Sequence, residues 1–361
     1  MIPGRERPPA SVCIIRLSAI GDVCHTLPVV RTLQAAWPES RFTWIIGKTE
    51  ASLLDGMRDI ELVVLDKTRG VSGLRALRQV LAGRRFDLLL HMHASMRANL
   101  ASLCVRADAR LGFDRARASD LQWLFTNARI PAKPRQHVMD GLFGFAEAAG
   151  VVGRALEWNI PLADGDRAFA EEIIPNGRPA LIVSPCSSEK RGRYRNFRNW
   201  APENYAAVID HAAERYGLTA LLTGGRSALE HEYGRRIEEA ARTRPRNLIG
   251  ATTLKQLLAL LERAVVLICP DSGPAHMATT VGTPVIGLYG TTNPDRAGPY
   301  LSREWVVDRY AEAAAQEFGK TVDELSWGAR IRKPFAMQLI EVGDVTGTLD
   351  RLMQSRADMP A

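Results

Sequence analysis

Apolar runs of four to seven residues alternate with helical patterns along this chain, and the alternation happens twice. In the first half, residues 11–17, 42–46, 62–65 and 86–92 read as buried strands. Residues 27–37 and 74–82 read as helices, the first ended by Pro38. Strand–helix–strand repeats of this kind give right-handed crossovers and a parallel sheet. Residues 161–179 interrupt the pattern with a Pro/Gly-punctuated linker holding a short helix. The alternation then resumes, with strands at 180–184, 219–223, 265–269 and 285–289 and helices at 205–216, 229–242, 254–263 and 273–281. The expected fold is α/β, with two Rossmann-like, doubly wound parallel-sheet domains facing a central cleft. The domains are expected at 1–163 and 164–361, with the C-terminal helical end packing back on the N-terminal domain. A length of 361 residues suits two cores better than one.

Several classes are excluded at this stage. The longest apolar runs, such as 265–269, fall far short of the roughly 20 residues that cross a bilayer. Residues 12–15 are too few for a signal-peptide core, and Arg16 ends them. Cys13, Cys24, Cys104, Cys186 and Cys269 are odd in number and scattered, which argues for a reducing cytoplasm rather than a disulfide framework. The net charge of +7 points either to an arginine-rich proteome or to an anionic partner such as phosphate or an acidic membrane surface. No aromatic-interleaved nucleic-acid motif accompanies the basic clusters at 106–117 and 190–198, so no nucleic-acid partner is expected.

In open α/β sheets ligands bind beyond the carboxyl ends of strands. Three strand-end loops therefore stand out. The first is Arg16-Leu17-Ser18-Ala19-Ile20-Gly21-Asp22, where Gly21 permits close backbone approach. Asp22 there either caps a helix starting near Val23 or accepts a proton from a substrate hydroxyl. The second is Pro185-Cys186-Ser187-Ser188 with the basic run to Arg198-Asn199-Trp200, a set of hydroxyls and cations suited to a diphosphate. The third is Asp271-Ser272-Gly273-Pro274-Ala275-His276. Here Ser272 is an N-cap, Pro274 fits a first helical turn, and the free amides form an anion site. Asp271 is placed to bond sugar hydroxyls, with His276 one turn on. No GxGxxG follows a strand, which argues against a dinucleotide-dependent dehydrogenase. His91 and His93 share a strand face but lack a third metal ligand. Asp164-Gly165-Asp166 lies in the linker and reads as a turn.

With these motifs the chain resembles glycosyltransferase family 9, the ADP-heptose:lipopolysaccharide heptosyltransferases, from about residue 12 to about residue 300. The N-terminal signature is matched by Arg16, Ser18, Gly21-Asp22 and His25-Thr26-Leu27-Pro28, and the C-terminal one by Asp271 to His276. Arg198-Asn199-Trp200 and Gly298-Pro299 match two further family features. The resemblance implies a GT-B fold and inverting transfer of L-glycero-D-manno-heptose from an ADP-linked donor to the inner core of lipopolysaccharide, without a metal or other cofactor. It implies Asp22 as general base. For the donor it implies Asp271, Ser272, Gly273, Pro274 and His276 together with Ser187, Ser188 and Arg198. An insertion at 191–197 leaves Lys190 as an alternative to Arg198. Arg16, Ser18, Gly21, Arg97, Arg110 and His137 correspond to acceptor positions, whereas Gly141 replaces an arginine that some members carry. The implied partners are an ADP-sugar and an anionic lipopolysaccharide-core acceptor. The implied location is cytoplasmic, peripheral to the cytoplasmic face of the inner membrane. Another nucleotide-sugar or glycan acceptor, or a non-catalytic nucleotide-sugar-binding protein, are the competing readings.

Overall fold

A computed structural model describes residue 4, residues 7–187 and residues 197–358. The chain forms two compact units, divided after Pro161, two residues before the expected boundary.

In the N-terminal unit the strands are β1 (Ser11–Ile15), β2 (Arg41–Gly47), β3 (Glu61–Leu65), β4 (Phe86–His91), β5 (Ala107–Gly112) and β6 (Ala128–Arg129). They form one parallel sheet in the order β3-β2-β1-β4-β5-β6. The helices are α1 (Ile20–Ala36), α2 (Lys48–Leu54), α3 (Gly70–Val80), α4 (Met96–Ser102) and α5 (Val138–Ala148). Alternate residues of β1 face opposite sides of the sheet. Cys13, Ile15 and Leu17 therefore join Leu77, Leu81, Ala98 and Ala101 from α3 and α4 in one buried cluster.

The first helix departs from expectation. It begins at Ile20, seven residues before the expected start, and carries Pro28 inside. A proline in a helix interior leaves the carbonyl four residues earlier without its amide. That carbonyl belongs to Cys24, and the Trp158 indole Nε1 donates to it at 2.7 Å. A side chain 134 residues away thus supplies the bond that the ring forbids.

The C-terminal unit opens with α6 (Asp164–Ile173). Asp164 and Asp166, expected in a turn, instead occupy the first turn of this helix, where carboxylates favour the amino-terminal dipole. The strands are β7 (Ala180–Val183), β8 (Thr219–Leu222), β9 (Arg246–Asn247), β10 (Val266–Pro270), β11 (Val285–Tyr289) and β12 (Val307–Asp308). Their order, β12-β11-β10-β7-β8-β9, is the same parallel arrangement read from the other edge. Helices α7 (Pro202–Tyr216), α8 (Ala228–Ala240), α9 (Leu254–Arg263) and α10 (Gly273–Thr280) fill the crossovers. Four more follow: α11 (Pro294–Ala297), α12 (Tyr310–Phe318), α13 (Phe335–Gln338) and α14 (Val342–Ala357).

Within its own unit α14 packs against α7, β11 and β12. Val345, Leu349 and Leu352 are buried with Leu181, Tyr205 and Ile268. Asp350 of α14 accepts from His211 Nε2 and Tyr216 Oη of α7, each at 2.7 Å. Among the described residues no helix is long and apolar enough to cross a membrane.

Candidate functional site

Both sheets change winding direction between their first and fourth strands, which is where a doubly wound fold opens a ligand crevice. In the N-terminal unit these are β1 and β4. The nearly buried Arg16 leaves β1 and donates from Nη1 to the Met92 carbonyl beyond β4 at 2.5 Å. Its Nη2 meets Asp22 Oδ1, also at 2.5 Å. The other carboxylate oxygen accepts from the Ala19 amide at 3.0 Å.

Asp22 is thus not the residue before the helix. It sits in the first turn of α1 and reaches back to the capping residue's amide. It does part of a cap's work and still leaves 34% of its side chain exposed. Burial works against its ionisation, but the Arg16 guanidinium, the Ala19 amide and His93 outweigh that and hold its pKa below the usual value.

His93 completes this group. Its Nδ1 accepts from the Leu17 amide at 3.1 Å, which fixes the proton of the neutral ring on Nε2. Burial, with Arg16, Lys67 and Arg97 nearby, pushes its pKa down to about 4. His91 is further buried, accepts from Gln122 Nε2 at 3.0 Å, and has its pKa pushed down to about 3, first by burial. Gly21 is buried, Ser18 is partly buried beside it, and Arg97 is exposed at the start of α4. Gly47 closes the loop from the β2 side. A Cβ there would stand 2.4 Å from the Leu17 carbonyl and 2.3 Å from Glu50 Oε2.

Two of the expected acceptor residues have side-chain partners within the N-terminal unit. Arg110 donates from Nε, Nη1 and Nη2 to the carbonyls of Phe125, Val105 and Ser102, so its guanidinium braces the loops around β5. His137 is buried as the N-cap of α5. Its Nδ1 accepts from the Met139 amide, and its ring stands edge-on to His25. Gly141 is also buried in α5, and a Cβ there would meet Arg117 Nη1 at 2.8 Å.

In the C-terminal unit the corresponding strands are β7 and β10. Asp271 follows β10 and is 8% exposed. Arg198, from the loop after β7, donates Nη1 to the Asp271 carbonyl at 2.9 Å and to its Oδ2 at 3.1 Å. Ser272 is the N-cap of α10, with Gly273 and Pro274 opening the helix and His276 buried one turn on. Among the described residues the Ser272 hydroxyl makes no capping bond and meets only the weak Cys269 thiol. Buried hydroxyls are normally hydrogen-bonded, so this one retains capacity for a further bond. On the opposite loop Ser187 donates from its amide to Asn199 Oδ1 at 2.9 Å, while Trp200 is buried and donates from Nε1 to the Ile340 carbonyl. Ser188 and Lys190 lie outside the described residues.

Three groups escaped the sequence reading. The first is His93, whose alternation with His91 suggests a metal ligand and gives no sign of its contact with the Leu17 amide. The second is Thr292, in the polar loop after β11; its Oγ1 is buried without a partner among the described residues. The third is Arg330. It pairs with Thr292 as an antiparallel bridge, supported by Ile331 N donating to the Thr291 carbonyl at 2.9 Å. Partial desolvation lowers the Arg330 pKa, against the pull of Asp271 and with Arg198, Arg296 and Arg332 adding repulsion. Arg198, Arg296, Arg330 and Arg332 thus lie close enough to repel one another, with Asp271 among them. Applied to the loop after β11, the strand-end rule would find Thr292, whereas nothing in the local pattern marks Arg330. Among the described residues no group of three or more His, Cys, Asp or Glu is placed to hold a metal ion.

Residues 74–328 match glycosyltransferase family 9 (heptosyltransferase). The chain is 40% identical over 344 residues to the lipopolysaccharide core heptosyltransferase OpsX of Haemophilus influenzae, covering 95% of this chain and 97% of that protein. A solved glycosyl transferase family 9 structure from Veillonella parvula has a TM-score of 0.75 at 23% identity, covering 96% of this chain and 97% of that one. The ADP-heptose lps heptosyltransferase II of E. coli has a TM-score of 0.71 at 19% identity, covering 96% and 99%. These two likenesses speak for a shared GT-B fold. With the family match over most of its length and a relative at 40% identity, this chain belongs to glycosyltransferase family 9 and is a glycosyltransferase.

Proposed function

We propose that the chain transfers a heptose from ADP-L-glycero-D-manno-heptose to the inner core of lipopolysaccharide, in one inverting displacement. The observation that carries this reading is an ionised, one-third-exposed Asp22 at the strand-end loop of the N-terminal unit; the 271–276 helix start in the C-terminal unit supports it. The lipopolysaccharide core heptosyltransferase at 40% identity supports the choice of sugar and acceptor.

Asp22 takes the proton from an acceptor hydroxyl as that oxygen attacks the anomeric carbon. The bond from that carbon to the diphosphate oxygen breaks, and ADP departs with the electron pair. Arg16 and the Ala19 amide aim the Asp22 carboxylate and keep it ionised, at some cost in basicity. The growing charge on ADP is met by the amides at the start of α10, by the Ser272 and Thr292 hydroxyls and by Arg198. Arg198 already donates to Asp271, so Arg330 supplies further charge for the diphosphate. Ser187, Ser188, Lys190 and His276 belong to the same donor loops. Arg97, exposed and near His93, is available to acceptor phosphates or carboxylates. The donor is the only cofactor-like molecule this scheme requires. The acceptor is a lipid, so the work is done at the cytoplasmic face of the inner membrane.

The decisive experiment incubates the protein with ADP-heptose and defined lipid A–Kdo or heptosylated acceptors and reads product mass. A gain of one heptose supports the reading. Donor binding without any product overturns it in favour of a non-catalytic binding protein. Thermal stabilisation by UDP- or GDP-sugars in preference to ADP-heptose overturns the donor class.

A further inference from the structure

The outer surface of the α3–α4 layer carries an apolar patch that neither proposed substrate explains. Helix α4 buries Ala98, Asn99, Ala101 and Ser102 and turns Met96, Leu100 and Leu103 outward at helical spacing. The segment after β5 lies beside it. Asp120 accepts from the Met96 amide through Oδ2 at 2.9 Å and from Asn99 Nδ2 through its carbonyl at 2.6 Å. Leu121, Trp123 and Leu124 follow at once and point to solvent. On the neighbouring helix Val71 is exposed one turn before Leu74, whose carbonyl accepts from Cys104 Sγ next to Leu103. These seven residues are between 41% and 66% exposed, a concentration that a free soluble surface does not need.

Charge separates the possible occupants. Residues 67–135 hold fourteen Lys and Arg against four Asp, a net +10 that exceeds the +7 of the whole chain. Arg75, Arg78, Arg97, Arg106 and Arg115 are exposed on the elements that carry the patch. A self-associating face would bring those cations together, whereas an anionic bilayer neutralises them and takes up the apolar side chains. Tryptophan and leucine ringed by arginine is the composition of an interfacial contact.

We propose that the outer face of α3, α4 and the 121–124 turn docks on an anionic phospholipid bilayer. This rests on the reading above that the acceptor is membrane-borne, and it names the surface that meets the membrane. The test is co-sedimentation of the full chain with vesicles of phosphatidylcholine alone or with one quarter phosphatidylglycerol, at low and high salt. The wild type is expected to bind the anionic vesicles and to release as salt rises. The triple variant Leu103→Ser, Trp123→Ser, Leu124→Ser should lose binding by about tenfold or more. Its thermal unfolding and its transfer to a deacylated, water-soluble acceptor should match wild type. Arg78→Glu with Arg106→Glu should weaken vesicle binding without changing melting.

Equal binding of the triple variant and wild type, or no wild-type binding to anionic vesicles, overturns the proposal. So does a wild-type dimer that the triple variant abolishes in the absence of lipid. Vesicle binding that needs the patch, in a protein that transfers no heptose, would leave the surface standing and overturn the functional reading alone.

Discussion

The two units share one strand order yet use the same geometry in opposite ways. In each, an arginine from the loop after the first strand donates to a backbone carbonyl beyond the fourth. In each, that arginine also holds an aspartate. In the N-terminal unit the aspartate comes from the arginine's own loop and stays a third exposed. In the C-terminal unit it comes from the opposite loop and is buried. An accessible carboxylate can exchange a proton with a substrate; a buried one fixes the distance between two loops. On the proposed reading, the same kind of ion pair serves chemistry in one half and joins two loops in the other.

The sharpest way to break this contrast is Asp22→Asn. Transfer should fall by about 10²- to 10⁴-fold, with ADP affinity unchanged within experimental scatter. Near-wild-type turnover in the folded variant would remove Asp22 from the reaction. Arg198→Ala should act through binding instead, weakening ADP by roughly ten- to a hundredfold in calorimetry. Arg330→Ala should give a smaller loss of the same kind. If Arg330→Ala changes only the melting temperature, its role is structural.

The prolines sharpen the comparison next. Pro274 opens α10, where no amide is needed, but Pro28 lies inside α1 and depends on Trp158. Trp158→Phe should destabilise the N-terminal unit by about 1–3 kcal/mol, the cost of an orphaned buried carbonyl. Adding Pro28→Ala should recover part of that loss in chemical denaturation, because the chain then supplies its own amide. The Trp158→Phe penalty should shrink in that background, and additivity of the two changes would refute the link.

The smallest effect is on acid stability. Folded His91 and His93 resist protonation down to about 3 and about 4, while in the unfolded chain they protonate near 6.5. The unfolded state therefore binds more protons across that window, and stability falls as pH drops from about 6.5 to about 4. His93→Gln should flatten this slope in melts recorded at several pH values. Asp22 and Asp350 act in the same direction at lower pH, because their folded pKa values also lie below the ordinary one. Their contribution is complete at neutral pH and disappears only as pH falls through the carboxylate range.

Much of this was legible beforehand, for identifiable reasons. Parallel strands buried on both faces leave continuous apolar runs, so 180–184 and 265–269 were readable without any partner information. The start of α10 was readable because Ser272 and Pro274 obey local capping rules. The start of α1 was not, because Pro28 reads as a breaker and its remedy lies 134 residues away. Arg110 and His137 show what residue type alone leaves open. Their types suit an anionic acceptor, but three carbonyls claim one and a helix cap claims the other. Arg330 stood in a short basic run with no periodicity, and only the bridge to Thr292 reveals its neighbours.

The last long helix has a consequence for how the chain is made. Leu349 and Leu352 of α14 are buried among residues that begin at Leu181. The C-terminal unit therefore cannot complete its core until its final helix has emerged from the ribosome. The N-terminal unit, whole by residue 161, is free to fold while the other is still being translated. During that interval the Asp22 loop can form on a nascent chain whose 271–276 loop is not yet in place.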